Sequence, residues 1–375
     1  MKKLIIAFSV LIIGCSTNKN PEISSNIKAT PLTNEIKLPI QADISIVQLE
    51  TTEQSLLTNI VNIEETDNYI FILDRNTFFV FSKTGKFIKK LRRGHGPGEL
   101  TRAITFSINN KENEIYINEQ GNILHVYDIN VNLKETYIFD KGSYLDFVKL
   151  DKENFLMYNF LPPKYGGKYL LAKYNINRKK ITNEYVPNNN LPLKDLSIQL
   201  YDNFCINYKN DIIFSASNSR KIYTYKNDSV SILYSLDFGN LEIPASFIEK
   251  FDTKKVRQFR KEALENNYIS FLYYAYDFKE FLLVGFQHKK YNCGICFKGD
   301  NKLYLTTLSE LFDLPNTPSF KIIDNVRGNK IYFVYNNDIL LDSNIDESKK
   351  TLTIKGKSIQ IHDNNNPVII ELTLK

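Results

Sequence analysis

The chain has 375 residues, 43% hydrophobic and 24% charged, with 25 Phe, 23 Tyr and no Trp. This composition excludes a disordered or collagen-like polymer and allows a few ordinary domains or one large repeat domain. The formal charge of +6 is mild and mixed with acids, so nucleic acid is not an expected partner.

Met1-Lys2-Lys3 is a short positive segment, and Leu4 to Ile13 is an apolar run broken only by Ser9. Ten apolar residues cannot cross a hydrocarbon layer of ~30 Å as a helix, but they suit the core of a signal peptide. The small Gly14 before Cys15 suits a peptidase that needs a slim residue at the cut. Ile12-Ile13-Gly14-Cys15 resembles the lipobox of bacterial lipoproteins; the other reading is an ordinary secretory signal with an incidental cysteine. The resemblance implies that residues 1–14 are removed and that Cys15 carries lipid. With Ser16 following, it implies direction to the outer membrane. Stable anchoring needs more than one acyl chain. Residues 15–39 then read as a flexible polar tether, and residues 40–375 as one exported domain.

That domain repeats. Tyr69 to Asp74, Phe78 to Ser82 and Lys86 to Leu91 are apolar runs separated by turn residues. The triplet recurs from Glu114, from Asn154 and from Asp211, with later copies at Phe281 and Lys330. Each copy is preceded by a further apolar segment, such as Leu57 to Ile63 or Ala103 to Ile108. Short strands in fours, at onset spacings of 46 and 40 residues, predict the blades of a β-propeller, and six can be counted. Near-continuous apolar runs fit sheets buried on both faces. The last blade lacks a strand, and Ile44 to Leu49 has no blade of its own. This N-terminal run is expected to close the last blade beside Pro367 to Thr373, removing two open edges.

One helical insertion is expected over residues 245–267. Phe247, Ile248, Phe251, Val256, Phe259, Ala263 and Leu264 recur at helix spacing there. Ser246 with Glu249 reads as a capping box, and Asp252 as a second cap. Lys254, Lys255, Arg257, Arg260 and Lys261 form a basic face, either solvated or turned to a membrane or partner. Cys293-Gly-Ile-Cys296 lacks the second Cys/His pair that zinc needs. On a strand its two thiols point to opposite faces, so a disulfide would require a bulge.

Leu49 to Glu53, Tyr69 to Asp74, Val80 to Phe87, Arg93-Gly-His-Gly-Pro-Gly-Glu99 and the ending Asn366 to Lys375 resemble the six-bladed β-propeller lipoproteins of Bacteroidetes. The Gly94 to Glu99 turn is also similar to that of NHL-type repeats, although only one blade carries it. The resemblance implies the fold and export, and implies no activity.

Propeller topology puts the connections from strand two to three, and from strand four to the next blade, on one face. Arg75, Arg92, Arg93, His95, Glu99, Arg102, Glu119 and Arg220 fall on those connections or at their borders and are the candidate ligand residues. Arg forks match carboxylates and phosphates, so an acidic glycan or peptide is the expected ligand. The competing reading is that the glycine-rich turn is only a connector, with its glycines in positive φ and Glu99 paired locally. His95, His125, His288 and His362 share no metal spacing, and no Gly-x-Ser-x-Gly elbow occurs. No metal or cofactor is expected. The leading expectation is a lipid-anchored binding or scaffold module for an envelope protein or acidic ligand. The alternatives are an enzyme acting on acidic glycans and a sugar-lactone hydrolase, each with its site at the channel mouth.

Overall fold

The computed structural model describes residues 25–31, 40–96, 98–109, 112–139, 144–159, 167–188, 204–217, 219–314, 321–323, 330–335, 351–360 and 365–375. The expected signal peptide, Cys15, Pro97 and His362 lie outside them.

The apolar runs pair with their sequence neighbours into antiparallel four-stranded sheets. Blade 1 is Ile60–Glu65, Tyr69–Asp74, Thr77–Ser82 and Phe87–Lys90. Blade 2 is Ala103–Asn109, Glu114–Glu119, Ile123–Asp128 and Leu133–Ile138. Blade 3 is Tyr144–Lys149, Asn154–Asn159, Tyr169–Asn175 and Lys180–Pro187. Blade 4 is Phe204–Ile206, Ile212–Ser215, Lys221–Lys226 and Ser229–Asp237. Blade 5 is Leu272–Asp277, Phe281–Phe286, Cys293–Phe297 and Lys302–Thr306. Blade 6 is Lys321–Ile323, Lys330–Tyr335 and Val368–Leu374, with β2 (Ala42–Gln48) as its fourth strand.

Both faces of each blade are packed, which closes the ring. Ile70 and Ile72 of blade 1 meet Tyr332 and Ile369 of blade 6. Phe71 and Phe78 meet Phe106 and Ile117 of blade 2. Tyr116 meets Phe147 and Phe155 of blade 3, whose Leu156 and Leu171 meet Phe214 of blade 4. One cluster then joins Ile213, Leu283 and Phe333 of blades 4, 5 and 6. Polar side chains stitch the same seams. Asn62 Nδ2 donates to Phe106 O (3.1 Å), Ile108 N to Glu64 (2.9 Å), Asn118 Nδ2 to Tyr144 O (2.7 Å) and Phe204 N to Asp146 (3.2 Å).

The N-terminal strand closes the last blade as expected. β2 runs antiparallel to Val368–Leu374, from Ala42 opposite Leu374 to Gln48 opposite Val368. Asn366 locks the junction from full burial. Its amide accepts from Leu57 N (2.8 Å) and donates to Glu50 O and Ser55 O (2.8 Å each). Gly85 (φ +83°) lies so close to β2 that a Cβ there would fall 2.1 Å from Gln48 O.

Two features, an added N-terminal strand and a broken helical insertion, differ from the sequence reading. Within the stretch read as tether, Asn26–Pro31 forms strand β1, parallel both to Ser229–Asp237 and to Lys302–Thr306. It joins blades 4 and 5 into one nine-stranded sheet, with Ile27 only 1% exposed. The helical insertion is broken. α1 (Ala245–Ile248) follows Pro244 without a side-chain cap, and α2 (Val256–Glu265) follows a turn capped by Asp252. The capping box sits instead at Thr307 and Glu310, opening α3 (Leu308–Phe312). Cys293 and Cys296 are free and buried in one strand. Burial pushes the Cys293 thiol far up and the Cys296 thiol up to about 11, so neither is a nucleophile at neutral pH.

Candidate functional site

The upper face carries the connections from strand two to three and from strand four to the next blade. At the seam of blades 1 and 2 these are built on a repeated clasp. Asp74 ends strand two of blade 1, and its carboxylate accepts from Thr58 N and Thr58 Oγ1 (3.1 Å each) and from Asn59 N. Glu119 ends strand two of blade 2 and does the same for Thr101 N (2.6 Å), Thr101 Oγ1 and Arg102 N (3.3 Å). In each blade an acid thus fixes the two residues before strand one. Glu119 also takes a hydrogen bond from His125 Nε2 (2.6 Å), while His125 Nδ1 meets Thr136 Oγ1 (3.0 Å). Burial alone would raise the Glu119 carboxyl. The bonds from Thr101, His125 and Arg102 outweigh it and hold the group below its ordinary value. Beneath this group the Tyr127 hydroxyl is buried without a partner among the described residues, and burial together with the Glu119 charge pushes it up.

The loop from Leu91 to Arg102 is folded by its own chemistry. Arg93 bridges to Leu100, Gly94 N donates to Leu100 O (3.2 Å) and Leu100 N to Arg92 O (3.0 Å). Glu99 turns back to accept from Gly96 N (3.0 Å). A Cβ on Gly94 would lie 2.0 Å from Glu99 Oε2, so this glycine supplies room rather than a positive φ. Gly98 supplies the positive φ, at +76°.

The candidate residues therefore divide. Arg75, Arg92, Arg93, His95 and Arg102 are exposed, and no partner engages their side chains among the described residues. The loops bearing them are adjacent. Arg75 N donates to Asn59 O, the Asn76 amide nitrogen, in the orientation that satisfies both its ends, donates to Ala103 O (3.1 Å), and Gln120 N donates to Arg102 O (3.1 Å). Glu99 and Glu119 spend their oxygens on the loop and on His125. The result is a cationic surface whose local acids are turned inward.

Arg220 is not part of it. Its guanidinium pairs with Glu242 (3.0 Å), donates to Ile269 O (2.7 Å) and stacks on Phe238 at 5.4 Å. It clamps the helical insertion to blade 4. The insertion shares the upper face and leaves Lys254, Lys255, Arg257 and Lys261 exposed, while Arg260 is held by Gln287 (3.1 Å).

A concavity of about 520 Å³ lies toward the opposite face between blades 2 and 3. Tyr116, Tyr137 and Phe155 line it beside Glu114, Lys134 and Lys149. Its charges satisfy one another, since Glu114 binds Lys134, Lys149 (3.3 Å) and Tyr116 Oη. Burial opposes ionisation there, but these bonds bring the Glu114 carboxyl down to about 2. No group of three or more metal-ligating side chains occurs among the described residues.

The profile of the family described as "Domain of unknown function (DUF4934)" matches residues 24–373. The chain belongs to the DUF4934 family. Among solved structures, this DUF4934 chain is similar to a Bacteroides fragilis protein named as a predicted exported protein, at TM-score 0.71 and 17% identity, covering 94% of this chain and 100% of the other. It also matches a Bacteroides caccae protein at TM-score 0.44 and 9% identity, covering 68% and 83%. The WD40 domain of Neurospora crassa Pan2 matches at 0.42 and 9%, covering 84% and 75%. The first likeness shows a shared fold; at their scores the other two define no common architecture. No curated protein matches the sequence. In this DUF4934 chain the clasp was missed from the sequence, although its signal was there: Thr58 and Thr101 each stand two residues before strand one.

Proposed function

We propose that this DUF4934 propeller is an exported, lipid-anchored binding module of the outer membrane, and that its upper face takes an acidic glycan, an acidic peptide or the acidic surface of an envelope protein. The observation that carries the reading is the charge split at the blade 1–2 seam. Arg75, Arg92, Arg93, His95 and Arg102 face solvent, while Glu99 and Glu119 are bound to backbone amides. Unpaired guanidinium groups on a rigid ring are preorganised for carboxylate or phosphate oxygens. The Gly14-Cys15 signal supports export and anchoring, and the Gly94 to Glu99 turn supports kinship with NHL-type repeats.

The test uses the protein beginning at Cys15, with polygalacturonate and poly-glutamate as probes and neutral dextran as control. Affinity for the acidic polymers should fall steeply between ~50 and ~300 mM salt, as screening of charge requires. The variant Arg75→Ala/Arg92→Ala/Arg93→Ala/Arg102→Ala should lose about tenfold or more in affinity at low salt with an unchanged melting temperature. Equal affinity in parent and variant, or equal binding of dextran, refutes the reading.

A further inference from the structure

Tyr208 is one of five large hydrophobic side chains left exposed among the described residues, at 42%. It sits on the connection between the first two strands of blade 4, on the face opposite Arg75 and the 91–102 loop. Lys209 Nζ lies over its ring at 5.3 Å and Lys298 Nζ at 5.5 Å. Lys298 also lies 5.3 Å from the ring of Tyr234, which stands next to Ser235 on the outer strand of blade 4. Ser235 is where the N-terminal chain arrives. Its N–H donates to Ser25 O (3.0 Å), and it pairs with Asn26. Two residues later Lys28 N donates to Asn301 O (2.8 Å), on the turn before Lys302. The chain thus enters beside Lys221, crosses to the lower turn of blade 5 at Asn301, and borders the Tyr–Lys cluster through the ring of Tyr234.

The charges there favour an anionic surface. Lys28, Lys209 and Lys302 are exposed and carry no ion pair among the described residues. The neighbouring acids are engaged, Asp211 by Lys226 (2.8 Å), Asp277 by Lys298 and Asp300 by Tyr304 (2.9 Å). Tyrosine and lysine together suit a membrane interface, where the ring sits at headgroup level and the ammonium stays in water. The chain outside the structure sets the distance. From Cys15 to Ser25 it reaches at most about 35 Å even when fully extended.

We propose that the blade 4–5 rim around Tyr208 lies against an anionic phospholipid surface. This rests on the reading that Cys15 is the lipid anchor. β1 would then be the fastening that fixes the orientation of the ring. Pinned to the outer strands of both blades, it holds the lower seam at the bilayer and turns the cationic upper face to the aqueous side.

The test couples the protein beginning at Cys15, by its thiol, to maleimide-headgroup lipid in vesicles. Cys205, Cys293 and Cys296 are buried, so coupling is directed to residue 15. On vesicles with about 30% phosphatidylglycerol, hydroxyl-radical oxidation of Tyr208 should fall about threefold or more relative to uncoupled protein, with His95 unchanged. Lys28→Glu/Lys209→Glu/Lys302→Glu should restore Tyr208 oxidation without changing the melting temperature. Protection of His95 instead, or unchanged oxidation of Tyr208, overturns the proposal. The anchor is read separately, by the mass of the N-terminal peptide from cells that make the protein. An unacylated Cys15 there would overturn the anchor and the proposal together, whereas an acylated Cys15 with exposed Tyr208 would overturn the proposal alone.

Discussion

Asn366→Ala probes ring closure with a single side chain. The substitution removes three hydrogen bonds and orphans Leu57 N and Ser55 O at a site that is fully buried, while Glu50 O keeps its bond from Ser55 Oγ (2.8 Å). Each orphaned buried group costs about 1–3 kcal/mol, and partial relaxation puts the total at roughly 3–5 kcal/mol. With an unfolding entropy of ~2.1 cal/mol/K per residue over about 350 residues, that corresponds to a fall of about 4–7 °C in Tm. The assay is thermal unfolding followed by circular dichroism at one fixed scan rate, since large domains often unfold irreversibly. Asn366→Asp should cost more at neutral pH, because a carboxylate cannot donate to two carbonyls. It should recover part of that loss in acid, where the protonated carboxyl donates again. A fall below about 1 °C for Asn366→Ala would refute the view that the junction of the two chain ends is a stability determinant.

Ile27→Ala should cost about 2–3 kcal/mol and raise hydrogen exchange in residues 26–31 and at Leu303, read by mass spectrometry; protection equal to the parent's would show that β1 does not depend on its one buried side chain. The Glu114 carboxyl lies near 2 in the folded protein and near 4.5 when free, so its stabilisation is present above about 4.5 and disappears as pH falls through about 2. Glu114→Gln should therefore lose less stability than the parent between pH 5 and about 2, measured by urea midpoints; parallel curves would refute this. Gly94→Ala and Glu99→Ala should each loosen the 91–102 loop, and the double variant should be no worse than either alone, because both delete the same bond to Gly96 N. Additive losses in hydrogen exchange at Gly96 would contradict that.

The blades were legible because their inner strands bury side chains on both faces, so Tyr69–Asp74 and Glu114–Glu119 read as strands without help from partners. The pairing of β2 with the C-terminal strand was legible because a surplus run and a deficient blade had to be reconciled. β1 was not. Asn-Ile-Lys-Ala-Thr-Pro carries one fully buried side chain, and its order comes from the open edges of two outer strands that lie far away in sequence. The helical insertion was found by its apolar stripe, but Ser246 could not act as a cap. The chain turns helical directly after Pro244, whose φ is already near −63°. Of the site, the exposed arginines were legible as loop residues. The inward turn of Glu119 was not, because it depends on Thr101, eighteen positions earlier, being delivered by the entry to its own blade. Arg220 misled for a related reason. Its loop lies on the same face, but Glu242 and the carbonyl of Ile269 flank an insertion with no counterpart in blades 1 and 2.

Blade 6 has a consequence for how the protein is made. Its third strand is Val368–Leu374, held between Lys330–Tyr335 and the N-terminal β2. A nascent chain of any shorter length is an open arc with a bare hydrogen-bonding edge at each end. Sealing thus waits until Val368–Leu374 can pair on both of its sides. A chain that stops before Val368 leaves both β2 and Lys330–Tyr335 without that partner.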